Sequence, residues 1–272
     1  MTPPNLFNLV EKDADKRFPL TVIKKEKMTH DTYTFELGFP NEEWISGLFA
    51  GGHFIFHAEV NGEMMSRKYT PISSVNQKGK AVFAIKIYRE NPDYPGGGLF
   101  TQHLERAVGV GDSILVEGPI GKTNYQGWGD FINFGKPLKH KKMRIGLLAG
   151  GSGLTPMYSI ALASSLARDG AEITFLFSNK TKDDILCKTE LEMLSSSNPD
   201  LTLFHTLTEH DPAKHGHWEG LTGLVCYEMF KECGFPAPAD DVLILCCGPP
   251  GFNQCIITFL KANGYQYGEH FV

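Results

Sequence analysis

Four short stretches carry the residue types that could do chemistry. The first is Arg67-Lys68-Tyr69-Thr70-Pro71-Ile72-Ser73-Ser74. Side chains alternate along an extended segment, so Arg67 and Tyr69 share one face and Lys68 and Thr70 the other. A guanidinium presents a planar fork of donors to a diphosphate. A tyrosine beside it adds a flat wall and a hydroxyl. Thr70 places a second hydroxyl next to Pro71, which stiffens the chain. A ligand with both a diphosphate and a flat ring would use all of these groups. An ordinary cross-strand Arg–Tyr pair is the plainer alternative.

The second stretch is Gly96-Gly97-Gly98, just before an expected helix over residues 99–106. Glycines let backbone approach a ligand closely, and a helix start offers unpaired N–H groups. Taken alone, the stretch reads better as a flexible loop with a helix start. The third is Gly150-Gly151-Ser152-Gly153-Leu154-Thr155-Pro156, between an apolar strand and a helix. It departs from the G-x-G-x-x-G fingerprint, with Pro156 where the last small residue would stand. Proline suits a first helical turn, and the end of a parallel strand is where ligands bind. The fourth is Cys247-Gly248-Pro249-Pro250-Gly251-Phe252, a rigid turn that holds one thiol at a strand end. Such a thiol is ordinarily a small buried hydrophobe.

The elements that must position these groups fall into two regimes. Residues 20–26, 32–37, 54–60, 67–70, 81–89 and 113–118 read as short strands, punctuated by Gly, Pro and the hairpin signal Asn61-Gly62. They predict an antiparallel β-barrel with one helix, closed to protect its edges. From residue 143 strands and helices alternate. Strands are expected at 144–149, 172–178, 201–208 and 242–247. Helices are expected at 157–168, 183–194, 224–232 and 252–263. That alternation predicts an α/β domain with a parallel sheet. The expected organisation is a first domain over 1–122, a linker over 123–142 and a second domain over 143–272.

Composition narrows the class. The chain has 272 residues, a net charge of −5 and 42% hydrophobic residues. It carries no basic stripe for nucleic acid and no apolar run of membrane-span length. The start, Met1-Thr2-Pro3-Pro4, shows neither a signal-peptide pattern nor a myristoylation glycine. A soluble, cytoplasmic monomer is expected. The six cysteines form no C-x-x-C pair, and mostly buried, free thiols are expected. His205, His210, His215 and His217 lack an acidic or Cys partner at ligand spacing, so no metal is expected. They read as a solvated loop.

In this order, the four stretches resemble the NADH–cytochrome b5 reductase family within the ferredoxin–NADP reductase superfamily. Against the family pattern R-x-Y-T-P-x-S, G-G-x-M-S, G-G-T-G-x-T-P and C-G-P-P this chain offers Arg67–Ser73, Gly97–Thr101, Gly150–Pro156 and Cys247–Pro250. Supporting matches include Gly52-His53, Ile85-Lys86-Ile87-Tyr88, Gly111-Asp112, Gly118-Pro119 and Asn179-Lys180-Thr181. The resemblance implies an FAD-binding barrel followed by a Rossmann-like NAD(P)H domain, with NADH favoured and NADPH possible. By motif, it implies FAD contacts from Arg67, Tyr69, Thr70, Ser73, Gly97, Gly98, Leu99, Phe100 and Thr101. Lys86 and Tyr88 would lie near both cofactors. Gly151, Gly153, Thr155 and Pro156 would line the nicotinamide side, with Cys247, Gly248, Pro249 and Phe252 beside it. Thr208 would stand at the ribose position and Phe271 would be the aromatic near the chain end. Thr70 and His53 would serve proton handling at the flavin, and Cys247 would orient the nicotinamide.

Departures from the pattern carry information too. Leu99-Phe100 stands where family members often have Lys-Met, which removes one charge from the FAD phosphates. Phe252 replaces a common Met. Both features resemble the reductase module of soluble b5/b5-reductase fusion proteins. Thr208, with Glu209 next to it, replaces an Asp that holds ribose hydroxyls in NADH-preferring members. The implied activity is hydride uptake from NADH and single-electron delivery to a haem protein such as cytochrome b5. Lys136, Lys139, Lys141, Lys142 and Arg144 could dock an acidic haem protein, or be a solvated connector. One alternative role is an electron-input module of a larger system, nitrate-reductase-like or fused. Another is a scaffold that has lost its cofactors, for which Leu99 is the only support.

Overall fold

In the computed structural model, residues 5–6, 17–92 and 94–272 are described. The Met1–Pro4 start lies outside them. The chain forms two compact units, 1–121 and 122–272.

The first unit is a six-stranded antiparallel sheet in the order β4-β3-β6-β1-β2-β5. Its strands are β1 (Arg17–Lys27), β2 (Thr32–Gly38), β3 (His53–Val60), β4 (Glu63–Tyr69), β5 (Lys80–Lys86) and β6 (Ser113–Ile120). Alternation drives the pairing. In β1, Leu20 and Val22 point inward while their neighbours face solvent. The interior is aromatic, built on Phe35, Phe54, Phe56, Phe83 and Phe100. The Phe56 and Phe83 rings meet edge to face at 4.9 Å. The sheet curls but does not close as a continuous ladder. Beyond β4, Ile72 N–H donates to Val82 O at 2.8 Å, and Val82 N–H donates to Ser73 Oγ at 3.0 Å. These two bonds bridge the seam between the edge strands.

Helix α1 (Leu99–Ala107) buries Phe100, Thr101 and Leu104 against this core. Lys25 secures its far end, donating from Nζ to the carbonyls of Leu104 (3.0 Å), Glu105 (2.6 Å) and Val108 (2.7 Å). A cation on the last carbonyls of a helix satisfies groups that have no intrahelical donor.

The second unit carries a parallel five-stranded sheet in the order β13-β12-β11-β10-β14. It comprises β10 (Arg144–Gly150), β11 (Glu172–Asn179), β12 (Leu201–Leu207), β13 (Leu221–Thr222) and β14 (Val242–Cys247). Its helices are α2 (Leu154–Ala167), α3 (Lys188–Ser197), α4 (Pro212–His215), α5 (Tyr227–Glu232) and α6 (Pro250–Ala262). Strands β10, β11 and β14 are apolar along nearly their whole length, as burial on both faces requires.

Residues 123–142, expected as a linker, carry structure of their own. Strands β7 (Thr123–Gly127), β8 (Asp130–Asn133) and β9 (Lys136–Pro137) form a three-stranded antiparallel sheet. A buried carboxylate fastens it. Asp169 accepts from the Tyr125 hydroxyl, from Trp128 N–H (3.1 Å), from Ser164 Oγ (2.7 Å) and from Ala171 N–H (3.2 Å). The expected helix over 183–194 is split. Asp184 accepts from Thr181 N–H and Oγ1 and closes a 3-10 turn at Lys182–Asp184. Helix α3 starts only after Cys187, which sits at φ 50°. Helix α2 begins earlier than expected, because Pro156 occupies its first turn and does not interrupt it.

The charge and thiol expectations change as well. Lys142 is buried, with Nζ on Asp240 O at 2.7 Å. Arg144 pairs with both oxygens of Asp241 at 2.8 and 2.6 Å, and Lys141 pairs with Asp130 at 3.0 Å. Of the five-residue basic cluster, Lys136 and Lys139 are left as exposed charges. His205 is not in a solvated loop but in β12, against Phe177 and Trp218. Two of the six thiols, Cys226 and Cys255, are exposed.

Candidate functional site

Each unit presents a glycine cradle at the mouth of a helix. In the first, β4 delivers Arg67, Tyr69 and the residue after it, Thr70. Tyr69 packs against Phe56 at 4.8 Å and lies nearly parallel to Phe100 at 6.2 Å. Burial pushes its hydroxyl pKa well above the usual range, so it stays protonated. Arg67 is exposed, and it donates to the neighbouring Ser66 carbonyl at 2.7 Å. Among the described residues no carboxylate pairs with it. Thr70 is buried. One step beyond the last pair of the β3–β4 ladder, Phe54 with Tyr69, stand His53 and Thr70. His53 Nε2 is buried and has no partner among the described residues. Burial, helped by the Lys68 charge, lowers its pKa and keeps the imidazole neutral near pH 7.

The loop into α1 folds tightly over Tyr88. Gly98 N–H donates to Tyr88 O at 2.7 Å. Thr101 Oγ1 donates to Gly98 O at 3.0 Å and accepts from Tyr88 N–H at 3.2 Å. Gly97 lies at φ +62°, and a Cβ there would sit 2.6 Å from Tyr88 O and 2.7 Å from Glu90 N. Only glycine fits, and no side chain caps α1. Its first-turn N–H groups and the Arg67 guanidinium are a donor set for a diphosphate, and Gly97 and Gly98, whose own N–H groups already donate to Tyr94 O and Tyr88 O, leave room for its close approach.

Ser73, Lys86 and Phe100, expected at this site, are otherwise engaged, and Leu99 brings no charge to it. Ser73 Oγ holds the seam through Val82 N–H. Lys86 Nζ pairs with Asp31 at 2.6 Å, with both side chains largely buried. Leu99 is half-exposed at the first helical position and brings no charge, while Phe100 is core.

In the second unit the sheet order does the positioning. Strand β10 lies between β11 and β14, so its successors run off in one direction while β14 sits on the other side. The loops after β10 and β14 therefore flank a switch point, where open α/β sheets bind ligands. One loop is Gly151-Ser152-Gly153, a single 3-10 turn into α2. The other is Cys247-Gly248-Pro249, leading into α6. They touch backbone to backbone, and a Cβ on Gly153 would lie 2.0 Å from Cys247 O. Phe252 fills the space beside Gly150 and Gly248. Cys247 is half-buried and its thiol pKa is pushed up by burial, which suits an orienting contact and not a nucleophile. Thr155 is buried in the first turn of α2, beside Pro156.

At the next strand ends, Thr208 N–H and Oγ1 both donate to Asn179 O, at 2.9 and 3.3 Å. Glu209 pairs with Lys180 at 2.8 Å. Phe271 is not at this surface. It is 2% exposed in the unit's hydrophobic core and bridges Ile244. The amide of Asn179 was not singled out for a role from sequence. It is buried, and neither its oxygen nor its nitrogen has a partner among the described residues. Only its place in the Asn179-Lys180-Thr181 match signalled it.

The sequence profile of an oxidoreductase FAD-binding domain matches residues 19–125, and that of an oxidoreductase NAD-binding domain matches residues 147–257. An NADH-cytochrome b5 reductase 2 of Xenopus laevis is 37% identical over 250 residues, covering 89% of this chain and 82% of the relative. The chain belongs to the NADH–cytochrome b5 reductase family. An NADH nitrate reductase of Volvox carteri is 34% identical over 97% of the chain, which spans 30% of that longer protein. The cytochrome b5 reductase domain of Ulva prolifera nitrate reductase has the same fold. Its TM-score is 0.86 at 31% identity, over 95% of this chain and 97% of that one. As a member of this family the chain is a flavin oxidoreductase, with FAD bound by the first unit and NAD by the second. The two glycine cradles, which exclude side chains, fit both groups.

Proposed function

We propose that this reductase takes a hydride from NADH and delivers single electrons to a haem protein of the cytochrome b5 kind. The observation that carries the reading is the presence of two helix-mouth cradles, one in each unit, where a Cβ on Gly97 or on Gly153 would collide with backbone. Bound FAD supplies the conversion of a two-electron donor into two one-electron deliveries. Arg67 and the Gly97–Thr101 backbone hold its diphosphate. Tyr69, fixed between Phe56 and Phe100, is a wall for its ring system. Thr70 donates a hydrogen bond at the site of reduction, and the neutral His53 accepts or returns a proton at Nε2. Gly151, Gly153 and Thr155 leave room for the nicotinamide end of NADH, and the Cys247 thiol orients it. Positioning and exclusion of water supply most of the acceleration.

The test is the visible spectrum of the purified chain with FAD, before and after anaerobic NADH. Bleached flavin bands, restored by oxidised cytochrome b5 with stoichiometric haem reduction, are expected. A protein that stays colourless with FAD would refute the first cradle. A yellow protein that NADH does not bleach would refute the second. Replacing Lys136 and Lys139 by Glu tests the acceptor. Cytochrome b5 reduction should slow several-fold at low salt and be less affected at high salt. An unchanged rate at both would remove that docking role.

A further inference from the structure

Cys226 and Cys255 differ from the other four thiols. Burial pushes Cys187 up to about 12 and Cys233 and Cys246 to about 11, and it raises Cys247 as well. Cys226 and Cys255 are exposed. They also come together in space. Cys226 stands at the residue just before the first turn of α5, and Cys255 lies in the second turn of α6. Cys255 Sγ–H donates to the carbonyl of Val225, the residue before Cys226, at 3.5 Å. A carbonyl oxygen lies about 2.8 Å from the next Cα across a trans peptide, so Cys255 Sγ is within about 6 Å of Cys226 Cα. Both thiols line one open groove of about 460 Å³ between the two helices, with Tyr227 and Phe259 among its walls.

We propose that Cys226 and Cys255 are a redox-active dithiol that closes to a disulfide by exchange with a small-molecule disulfide such as oxidised glutathione. One protein thiolate attacks a sulfur of the small disulfide and displaces one small thiol, giving a mixed disulfide. The second protein thiol loses its proton and attacks the protein sulfur of that bond, displacing the other small thiol. Two protein thiols are oxidised and one small disulfide is reduced to two thiols, so electrons and protons balance. Exposure gives the access that exchange needs, and rotamer hops of exposed side chains are fast enough to bring the sulfurs together. The bridge would tie α6 to the cap of α5. Helix α6 opens directly after Cys247-Gly248-Pro249, so the bridge would join thiol redox state to the nucleotide-side turn.

The full chain, loaded with FAD and treated with oxidised glutathione, is digested without reductant and mapped by mass spectrometry. The expected product is a single Cys226–Cys255 linked peptide, two hydrogens lighter than the reduced pair, with no glutathione retained. Cys226→Ser and Cys255→Ser should each retain one glutathionyl group on the remaining thiol and form no link. A wild-type chain carrying glutathione on both residues would overturn the proposal. So would a link between any other pair, or two thiols that remain reduced.

Discussion

The two glycine cradles look alike in sequence and are built differently. Each opens a helix that no side chain caps, and neither helix has an acid in its first turn. The first cradle is folded on its own neighbourhood. Gly97 presses on Tyr88 and Glu90, and Thr101 and Gln102 stitch the loop from inside the same helix. The second is pressed against a loop far along the chain, with Gly153 against the carbonyl of Cys247. A local cradle is shaped by its own side chains. A cradle at a switch point is shaped by the order of strands, and it holds only while β10 and β14 stay paired. Substitutions in the second should therefore reach further than substitutions in the first.

Gly153→Ala is the largest test of that contrast. A Cβ 2.0 Å from Cys247 O has no side chain to push aside, so the two loops must separate. We expect a loss of about 3 kcal/mol in stability and NADH-driven flavin reduction about 100-fold slower, with FAD still bound. Stopped-flow reduction and denaturant melts measure both. Normal reduction in a stable variant would break the account of contacting loops. Gly97→Ala should stay local. Left-handed backbone and contacts at 2.6 Å cost about 2 kcal/mol. The expected loss is of FAD, read as the flavin-to-protein absorbance ratio after gel filtration. NAD⁺ binding, measured by calorimetry, should be unchanged. Normal flavin content would show that the loop yields more easily than its backbone contacts imply.

What the sequence made legible follows the same division. The strand pattern, the glycine loops and the order of the motifs were readable, because alternation and glycine punctuation are local signals. Residues 123–142 were not. Their strands are short, and what fastens them is Asp169, well beyond the segment, through Tyr125 and Trp128. The engagement of Lys86 by Asp31 and of Ser73 by Val82 was hidden for a related reason: Asp31 lies in the turn before β2 and Val82 in β5, and only the curl of the sheet brings them to their partners. Phe271 matched a motif position, but its burial depends on the bridge to Ile244. The break in the 183–194 helix was visible in principle, since Thr181 and Asp184 have the spacing of a capping box.

Acid should act on the second unit through a buried histidine. His205 is held neutral by burial, its pKa lowered from 6.5 to about 4, and neither ring nitrogen has a partner among the described residues. A histidine with a depressed folded pKa leaves the unfolded chain holding more protons between the two values. Its contribution is whole above pH 6.5 and is lost as pH falls toward 4. We expect a stability loss on the order of 1–2 kcal/mol on going from pH 7 to about pH 4.5, after allowing for solvent at the ring. His205→Phe, which keeps the contacts to Phe177 and Trp218, should remove that increment in denaturant melts at the two pH values. Equal acid losses in both proteins would assign the sensitivity elsewhere, with His53 in the first unit the next candidate, since its pKa is lowered too.

The smallest expected effect comes from giving the first cradle the charge it lacks. Leu99 is 46% exposed at the first position of α1, so a longer side chain meets solvent, not core. Leu99→Lys places an ammonium beside the donors assigned to the diphosphate. Two terms oppose each other. A cation in the first turn works against the helix dipole by about 0.3–1 kcal/mol, whereas a charge-assisted contact to a phosphate contributes about 1.5–3 kcal/mol before solvent screening. With FAD bound, the attraction to the phosphate outweighs the first term; without FAD only the first term remains. The variant should therefore bind FAD several-fold more tightly at low salt and lose the gain at high salt. Without FAD it should melt slightly earlier than the parent. Titration of the apoprotein with FAD at two ionic strengths reads the first effect, and a melt of the apoprotein reads the second. Unchanged affinity at low salt would mean that the first-turn N–H groups and Arg67 already saturate the diphosphate. The first cradle would then hold its ligand through backbone and Arg67 alone, with no further gain from charge at the helix mouth.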